Sequence, residues 1–178
     1  MHIKKLITQA KTGRSGAQKE LYELTCARLN SVALRYVVDR SLAEDVLQES
    51  YIRIFKNLQQ FDYRDDPSTL AWMKRITVTE ALRLLKKRKR WNALDQSSTS
   101  SIVLSIDYNA TDDITEALTR LTDRQRIVFN MYAIEGYNHE EIATQLSIAT
   151  SSSRALLSRA RGILKSTLTT TPKHEQVR

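Results

Sequence analysis

The chain has 178 residues, 41% of them hydrophobic, and 28 Lys and Arg against 20 Asp and Glu, a net charge of +8. That length holds one ordinary domain or two small ones. With 4 Gly and 2 Pro, and with Leu, Ala, Arg, Lys, Glu and Gln recurring at helical spacing, it excludes strand-rich folds and points to long helices with short connections.

The positive charge, with a pI near 9.7, favours an acidic partner: nucleic acid first, an anionic membrane surface or an acidic protein otherwise. One cysteine, Cys26, rules out an internal disulfide and reads as an inert buried thiol in a reducing cytosol. The first eleven residues, MHIKKLITQAK, lack the apolar run of a signal peptide, and no segment approaches the roughly 18 apolar residues of a membrane span. A soluble, cytoplasmic protein is expected.

Helical periodicity covers residues 2 to 11, breaks at Gly13-Arg14-Ser15-Gly16, and resumes from about Ala17 to Val38 with Leu21, Leu24, Leu29, Val32 and Tyr36 as core positions. Ser41 and Glu44 form a capping-box pattern, from which a helix runs to about Gln59 on the apolar set Leu42, Val46, Leu47, Tyr51, Ile54, Phe55 and Leu58. Pro67 and the neighbouring Asp pair end that run. A further helix is predicted from about Ser68 to Arg90, closing on Lys86-Lys87-Arg88-Lys89-Arg90.

Residues 92–111 are Ser/Thr-rich without Lys or Arg and read as a flexible linker. Fully extended, it would reach about 70 Å. Asp107, Asp112 and Asp113 make this stretch acidic, which suits mimicry of nucleic acid in a basic channel and plain solubility equally. The second half reads as four short helices, with capping boxes at Asp113 and Glu116, Thr122 and Gln125, and Asn138 and Glu141. Its last part fits a helix-turn-helix: Ile142, Ala143 and Leu146 inward, a tight turn at Ser147-Ile148, and a second helix from about Thr150. The expected organisation is all-α, with two small helical domains (1–91 and 112–170), the linker 92–111 between them and a frayed tail, 171–178.

Three groups of side chains carry possible chemistry. Asp45, Gln48 and Glu49 stand at i, i+3 and i+4 on one helix face, either a solvated face or a docking patch for a basic surface. Lys74, Arg75, Arg83, Lys86 and Lys87 interleave with Trp72 and follow Phe61, Tyr63 and Arg64, a mixture of cations and rings that suits single-stranded nucleic acid. Trp72 alone would equally suit a core. Thr150, Ser151, Ser152, Arg154, Ser158, Arg159 and Arg161 give the last helix hydroxyls and guanidiniums fitted to phosphates and major-groove base edges. There is no glycine-rich phosphate loop or GxSxG, and His2, His139 and His174 are too scattered for a metal set. No cofactor, metal or enzymatic activity is expected.

The stretches LAEDVLQESYIRIFKNLQQFD and STLAWMKRI, followed after the linker by LTDRQRIVFNMYAIEGYNHEEIATQLSIATSSSRALLSRAR, resemble the extracytoplasmic-function (ECF) sigma factors of the bacterial sigma-70 family. The resemblance spans about residues 5 to 168. It implies a sigma region 2-like first domain, a region 4-like second domain, and a role directing core RNA polymerase to promoter DNA, with an anti-sigma factor as a regulatory partner.

Carried to these positions, the resemblance implies that Asp45, Gln48 and Glu49 face the polymerase clamp. The loop from Phe61 to Thr69, including Tyr63 and Arg64, would capture a flipped base. Trp72, Arg75, Thr79, Arg83 and Lys86 would meet the minus-ten DNA, and Arg154, Ser158 and Arg159 the minus-thirty-five element; by their chemistry Lys87 joins the first set, and Thr150, Ser151, Ser152 and Arg161 join the second.

The chain departs from the family pattern at Thr79 (often Asn), Ser147 (usually Gly), Ala149 (a capping Ser or Thr) and Leu156 (frequently Arg). Ser147 is strained if the turn needs a positive φ, and Thr150 is then expected to take over the cap. The alternative is a stand-alone helix-turn-helix regulator, in which the acidic patch and the loop would be idle.

Overall fold

The computed structural model describes residues 2–87 and 117–170, and every regular element among them is helical, as expected of an all-α protein. The chain divides into two compact units, Met1–Arg90 and Trp91–Arg178. The end of the basic run (88–90), the linker at 92–111, the capping pattern at Asp113 and Glu116 and the tail at 171–178 lie outside the described residues.

The first unit packs four helices: α1 (His2–Lys11), α2 (Ser15–Val37), α3 (Arg40–Asn57) and α4 (Asp66–Lys87), with a 3-10 turn, Leu58–Gln60, after α3. Between α1 and α2 the break is shorter than expected. Gly13 alone turns the chain, at φ +78, and its N–H reaches Ala10 O at 3.0 Å, so Ser15 and Gly16 already belong to α2. Ile7, Leu21, Leu29, Ile54 and Met73 bring all four helices into one core, each buried side chain stabilising by about 1.5–3 kcal/mol.

Two expected core features are corrected. Leu24 is 47% exposed, because α2 packs through Ala17, Leu21, Thr25, Leu29 and Val32, a stripe that passes Leu24 by. Cys26 is only half-buried at the edge of this core. Where Thr25 enters the interior its hydroxyl bonds Leu21 O and Tyr51 Oη, both at 2.7 Å, which satisfies it. Burial drives the Tyr51 phenol well above its usual range, so it stays neutral.

Helix α2 ends on Val38 in the left-handed region, φ +54, an uncommon place for a β-branched residue. The chain then enters α3 through Asp39, whose carboxylate accepts from Leu42 N at 3.0 Å. Asp39 therefore caps the helix, Ser41 lies inside it, and Glu44 pairs with Arg40 one turn away instead of closing a capping box.

Pro67 likewise opens α4 where a break was expected. It sits in the first turn, where no N–H is needed, while Asp65 accepts from Ser68 N at 2.6 Å. The Asp65 carboxyl is held below its usual range chiefly by that backbone bond.

In the second unit, helical residues 117–119 precede α5 (Asp123–Phe129), which widens into a π turn, Asn130–Ile134, before α6 (His139–Leu146) and α7 (Thr150–Thr170). Complete capping boxes close at Thr122 with Gln125 and at Asn138 with Glu141. Leu118, Ile127, Met131, Ile142, Leu146, Leu157 and Ala160 are buried.

Ser147 joins α6 to α7 at φ +55, and Ile148 N returns to Ala143 O at 3.0 Å. A serine thus holds the left-handed turn position without glycine's freedom, at a cost of about 1 kcal/mol. Ala149 stands just before α7, its carbonyl receiving Ser153 N at 3.1 Å, and Thr150 is the first helical residue.

Candidate polymerase and nucleic-acid interfaces

Asp45, Gln48 and Glu49 are exposed on α3, opposite the buried Val46, Leu47, Ser50 and Tyr51. Ile52, one turn beyond Gln48 and Glu49, is 61% exposed on the same face. It is a candidate for that site which the sequence reading missed. The available signal was that Ile52 is a large apolar residue standing off the stripe that builds the α3 core.

Across from this face runs α4, and the groove between them is lined by Asp45, Gln48, Glu49, Ile52, Arg83 and Lys87. An ion network closes it. Arg83 Nη2 lies 3.5 Å from Glu49 Oε2, Arg83 Nε lies 3.0 Å from Glu80 Oε2, and Glu80, 2% exposed, also pairs with Arg53. A residue expected to dock the polymerase and one expected to meet DNA are therefore ion-paired to each other.

Along α4, Trp72, Arg75, Thr79, Arg83 and Lys86 fall at helical spacing on one side, Trp72 half-buried and the other four exposed. Lys87 is exposed at the end of the helix. Thr79 gives its hydroxyl proton to Arg75 O at 2.8 Å, leaving its oxygen as an acceptor toward a ligand.

The loop ahead of α4 is built by side chains that hold one another. Phe61 stacks on Trp72 with centroids 4.2 Å apart, and Tyr63 donates to Asp66 Oδ1 at 2.6 Å. That bond is the main reason the Tyr63 phenol is pushed up to about 12. A base cannot slide between Phe61 and Trp72, since two stacking intervals of about 3.4 Å each would be needed. A base received here would stack on an outer face. Arg64 is exposed. Thr69 departs from the expected contact role: it is fully buried and donates to Asp65 O at 2.8 Å, so it shapes the loop from inside.

On α7, Ser151, Ser152, Arg154, Ser158, Arg159 and Arg161 are exposed and Thr150 is half-buried, with no acid anywhere on the helix. Behind them lies a set of contacts that the sequence did not show. His139 Nδ1 meets the buried Ser153 Oγ at 3.0 Å and stacks on Tyr132 at 4.6 Å, and Arg161 lies over that tyrosine at 5.4 Å. Burial, then the nearby Arg154 and Arg161, holds the His139 pKa below its ordinary value. The neutral ring thus fixes the first helix of the motif against the second.

Among the described residues no helix is long and apolar enough to cross a membrane, and no three metal-ligating side chains come together. What these surfaces define is a two-part helical protein with an exposed acidic-apolar face on α3 and a helix-turn-helix.

Residues 21–91 match the family described as Sigma-70 region 2, and residues 111–164 match Sigma-70, region 4. The chain belongs to the sigma-70 family, in its ECF group. It is 28% identical over 168 residues to the ECF RNA polymerase sigma factor SigL of Mycobacterium tuberculosis, covering 91% of this chain and 94% of that one. To SigK of Mycobacterium tuberculosis it is 26% identical over 156 residues, covering 83% and 81%.

Among solved structures it is similar in fold to CnrH in complex with the cytosolic domain of CnrY, with a TM-score of 0.53, 22% identity, and 95% and 98% of the two chains covered. The sigma factor RpoE in complex with the anti-sigma factor NepR from Bartonella quintana gives a TM-score of 0.55 at 22% identity, covering 85% and 96%. Nothing in these matches supports the stand-alone regulator.

Proposed function

We propose that this chain is a promoter-specificity subunit: it binds core RNA polymerase, directs it to particular promoters, and leaves catalysis to the polymerase, acting in the cytoplasm. The reading is carried by the match of regions 2 and 4 in the expected order. In it, the first domain (1–91) docks through Asp45, Gln48, Glu49 and Ile52. The Phe61–Thr69 loop and the exposed stripe Trp72, Arg75, Thr79, Arg83, Lys86 and Lys87 hold the minus-ten strand.

The linker (92–111) spans to the second domain (112–170), where Arg154, Ser158 and Arg159, flanked by Thr150, Ser151, Ser152 and Arg161, read the minus-thirty-five element. An anti-sigma factor that covers these faces is the natural regulator, as the pairing of the two solved neighbours with partner chains suggests. Two weak DNA contacts joined on one polymerase act by effective concentration, so the free chain binds duplex DNA weakly.

The test is transcription by core polymerase with and without the chain on fragmented source-genome DNA, with start sites sequenced. Discrete starts sharing upstream motifs at fixed spacing, seen only with the chain and lost in Asp45→Ala with Gln48→Ala, are expected. Occupancy of duplex DNA that needs no polymerase would overturn the reading.

A further inference from the structure

The loop proposed to receive a base is poorly charged for the strand that carries the base. Between Phe61 and Thr69 stand three carboxylates, Asp62, Asp65 and Asp66, against one guanidinium, Arg64. Asp65 is held in its ionised form by the Ser68 amide, and Tyr63 keeps its proton for Asp66. Each nucleotide brings one negative phosphate. A base seated here therefore needs cations from outside the loop to hold its backbone.

Helix α1 lies against this loop and carries cations. It carries Lys4, Lys5 and Lys11 and no acid. Lys4 Nζ stands 5.8 Å from the centre of the Tyr63 ring, and Lys4 and Lys5 are both exposed. The attachment is firm: Phe61 and Tyr63 pack on the cluster formed in part by Ile3, Leu6, Ile7 and Ala10, and the Gln59 amide donates to Lys11 O.

We propose that Lys4 and Lys5 are phosphate-binding residues for the single DNA strand whose base enters the Phe61–Thr69 loop, so that α1 forms one wall of the strand's path. This rests on the promoter-melting reading above and adds a surface to it. The loop supplies rings and hydrogen bonds for the base, and α1 supplies charge for the backbone, a division that lets the loop stay acidic without repelling its ligand.

The experiment uses the chain reconstituted with core polymerase and a single-stranded oligonucleotide covering the non-template minus-ten segment of a promoter mapped by start-site sequencing. Affinity is measured against salt for the wild type, Lys4→Ala with Lys5→Ala, the Arg pair at the same positions, and Lys19→Ala. Lys19 is an exposed control that pairs with Glu23 on α2.

The double alanine variant should weaken strand binding roughly three- to tenfold near 0.1 M salt and lower the salt slope by about 0.7 per lost phosphate contact. The arginine pair should restore both, and Lys19→Ala, polymerase affinity and duplex minus-thirty-five occupancy should not move. Unchanged affinity and slope in the alanine variant, with wild-type polymerase complex still starting at mapped promoters, overturns the role of α1 alone. A wild-type complex that starts at no promoter and binds no strand overturns the promoter reading and this role with it.

Discussion

In the first unit several of the charged and aromatic side chains assigned to partners are already engaged with one another: Arg83 with Glu49 and Glu80, Phe61 with Trp72, Tyr63 with Asp66. In the second unit Ser151, Arg154, Ser158 and Arg159 stand exposed on α7, and the contacts that organise the motif lie behind them, in Tyr132, His139 and Ser153. The difference follows from the ligand each would meet. A duplex groove presents fixed edges, so a rigid helix with open side chains suffices. A melted strand has no fixed shape, and the surface that takes it must bring its own geometry and exchange internal partners for external ones.

The comparison breaks most sharply at the proposed docking face, where the first unit would also hold the polymerase. Ile52→Asp should weaken core-polymerase binding by about 2–3 kcal/mol, roughly 30- to 150-fold, as loss of an apolar anchor amid charged neighbours does. Because Ile52 points to solvent, thermal stability should stay near wild type. Titration with labelled polymerase and a parallel melt separate the two. Equal binding by the variant would remove Ile52 from the face.

Next in size is the open surface of α7. Arg154→Ala should lose about 1–3 kcal/mol on the specific upstream element and relax base preference at one position, as a base-edge contact does. A uniform loss over all sequences, with a shallower salt slope, would make Arg154 a phosphate contact instead. Competition among promoter variants in the polymerase complex distinguishes these outcomes.

What could be read from the sequence was local. The capping boxes at Thr122 and Asn138 need four adjacent residues each, and both form. The pattern at Ser41 failed for an equally local reason: Asp39, two residues earlier, satisfies the same end of the helix with a stronger acceptor. Leu24 misled because a 23-residue helix offers several apolar stripes and only packing selects one. The pairing of Arg83 with Glu49 joins residues 34 apart, and that of His139 with Ser153 joins residues 14 apart. Such contacts follow from the way helices cross, which no spacing rule contains. Ser147 shows the reverse: its identity warned of strain, and the turn does hold it at φ +55.

A smaller effect should separate the units by pH. His139 has its pKa held below the ordinary value, so from about pH 6.5 downward the unfolded chain takes a proton that the folded ring resists. The stability in question is present above that pH and is lost as pH falls through it toward the folded value. Hydrogen exchange should show α6 and α7 losing protection between pH 7.5 and 5.5, and His139→Gln should flatten that change. An unaltered profile in the variant would assign the loss to other groups.

The smallest effect decides how far the engaged side chains of the first unit are truly coupled. Glu49 and Arg83 are each about half-exposed at 3.5 Å, so their pair should contribute less than about 1 kcal/mol to folding, and a double-mutant cycle with Glu49→Gln and Arg83→Gln should measure it. The informative quantity is the same cycle read on the strand affinity of the polymerase complex. If docking draws Glu49 away, Arg83 is already released there, and the coupling seen in the free chain should vanish in the complex. If the pair persists, the coupling remains, and Arg83 serves the groove between α3 and α4 more than the DNA. A pairing too weak to matter for stability thereby reports whether the docking face and the strand-binding stripe exchange partners when the polymerase arrives.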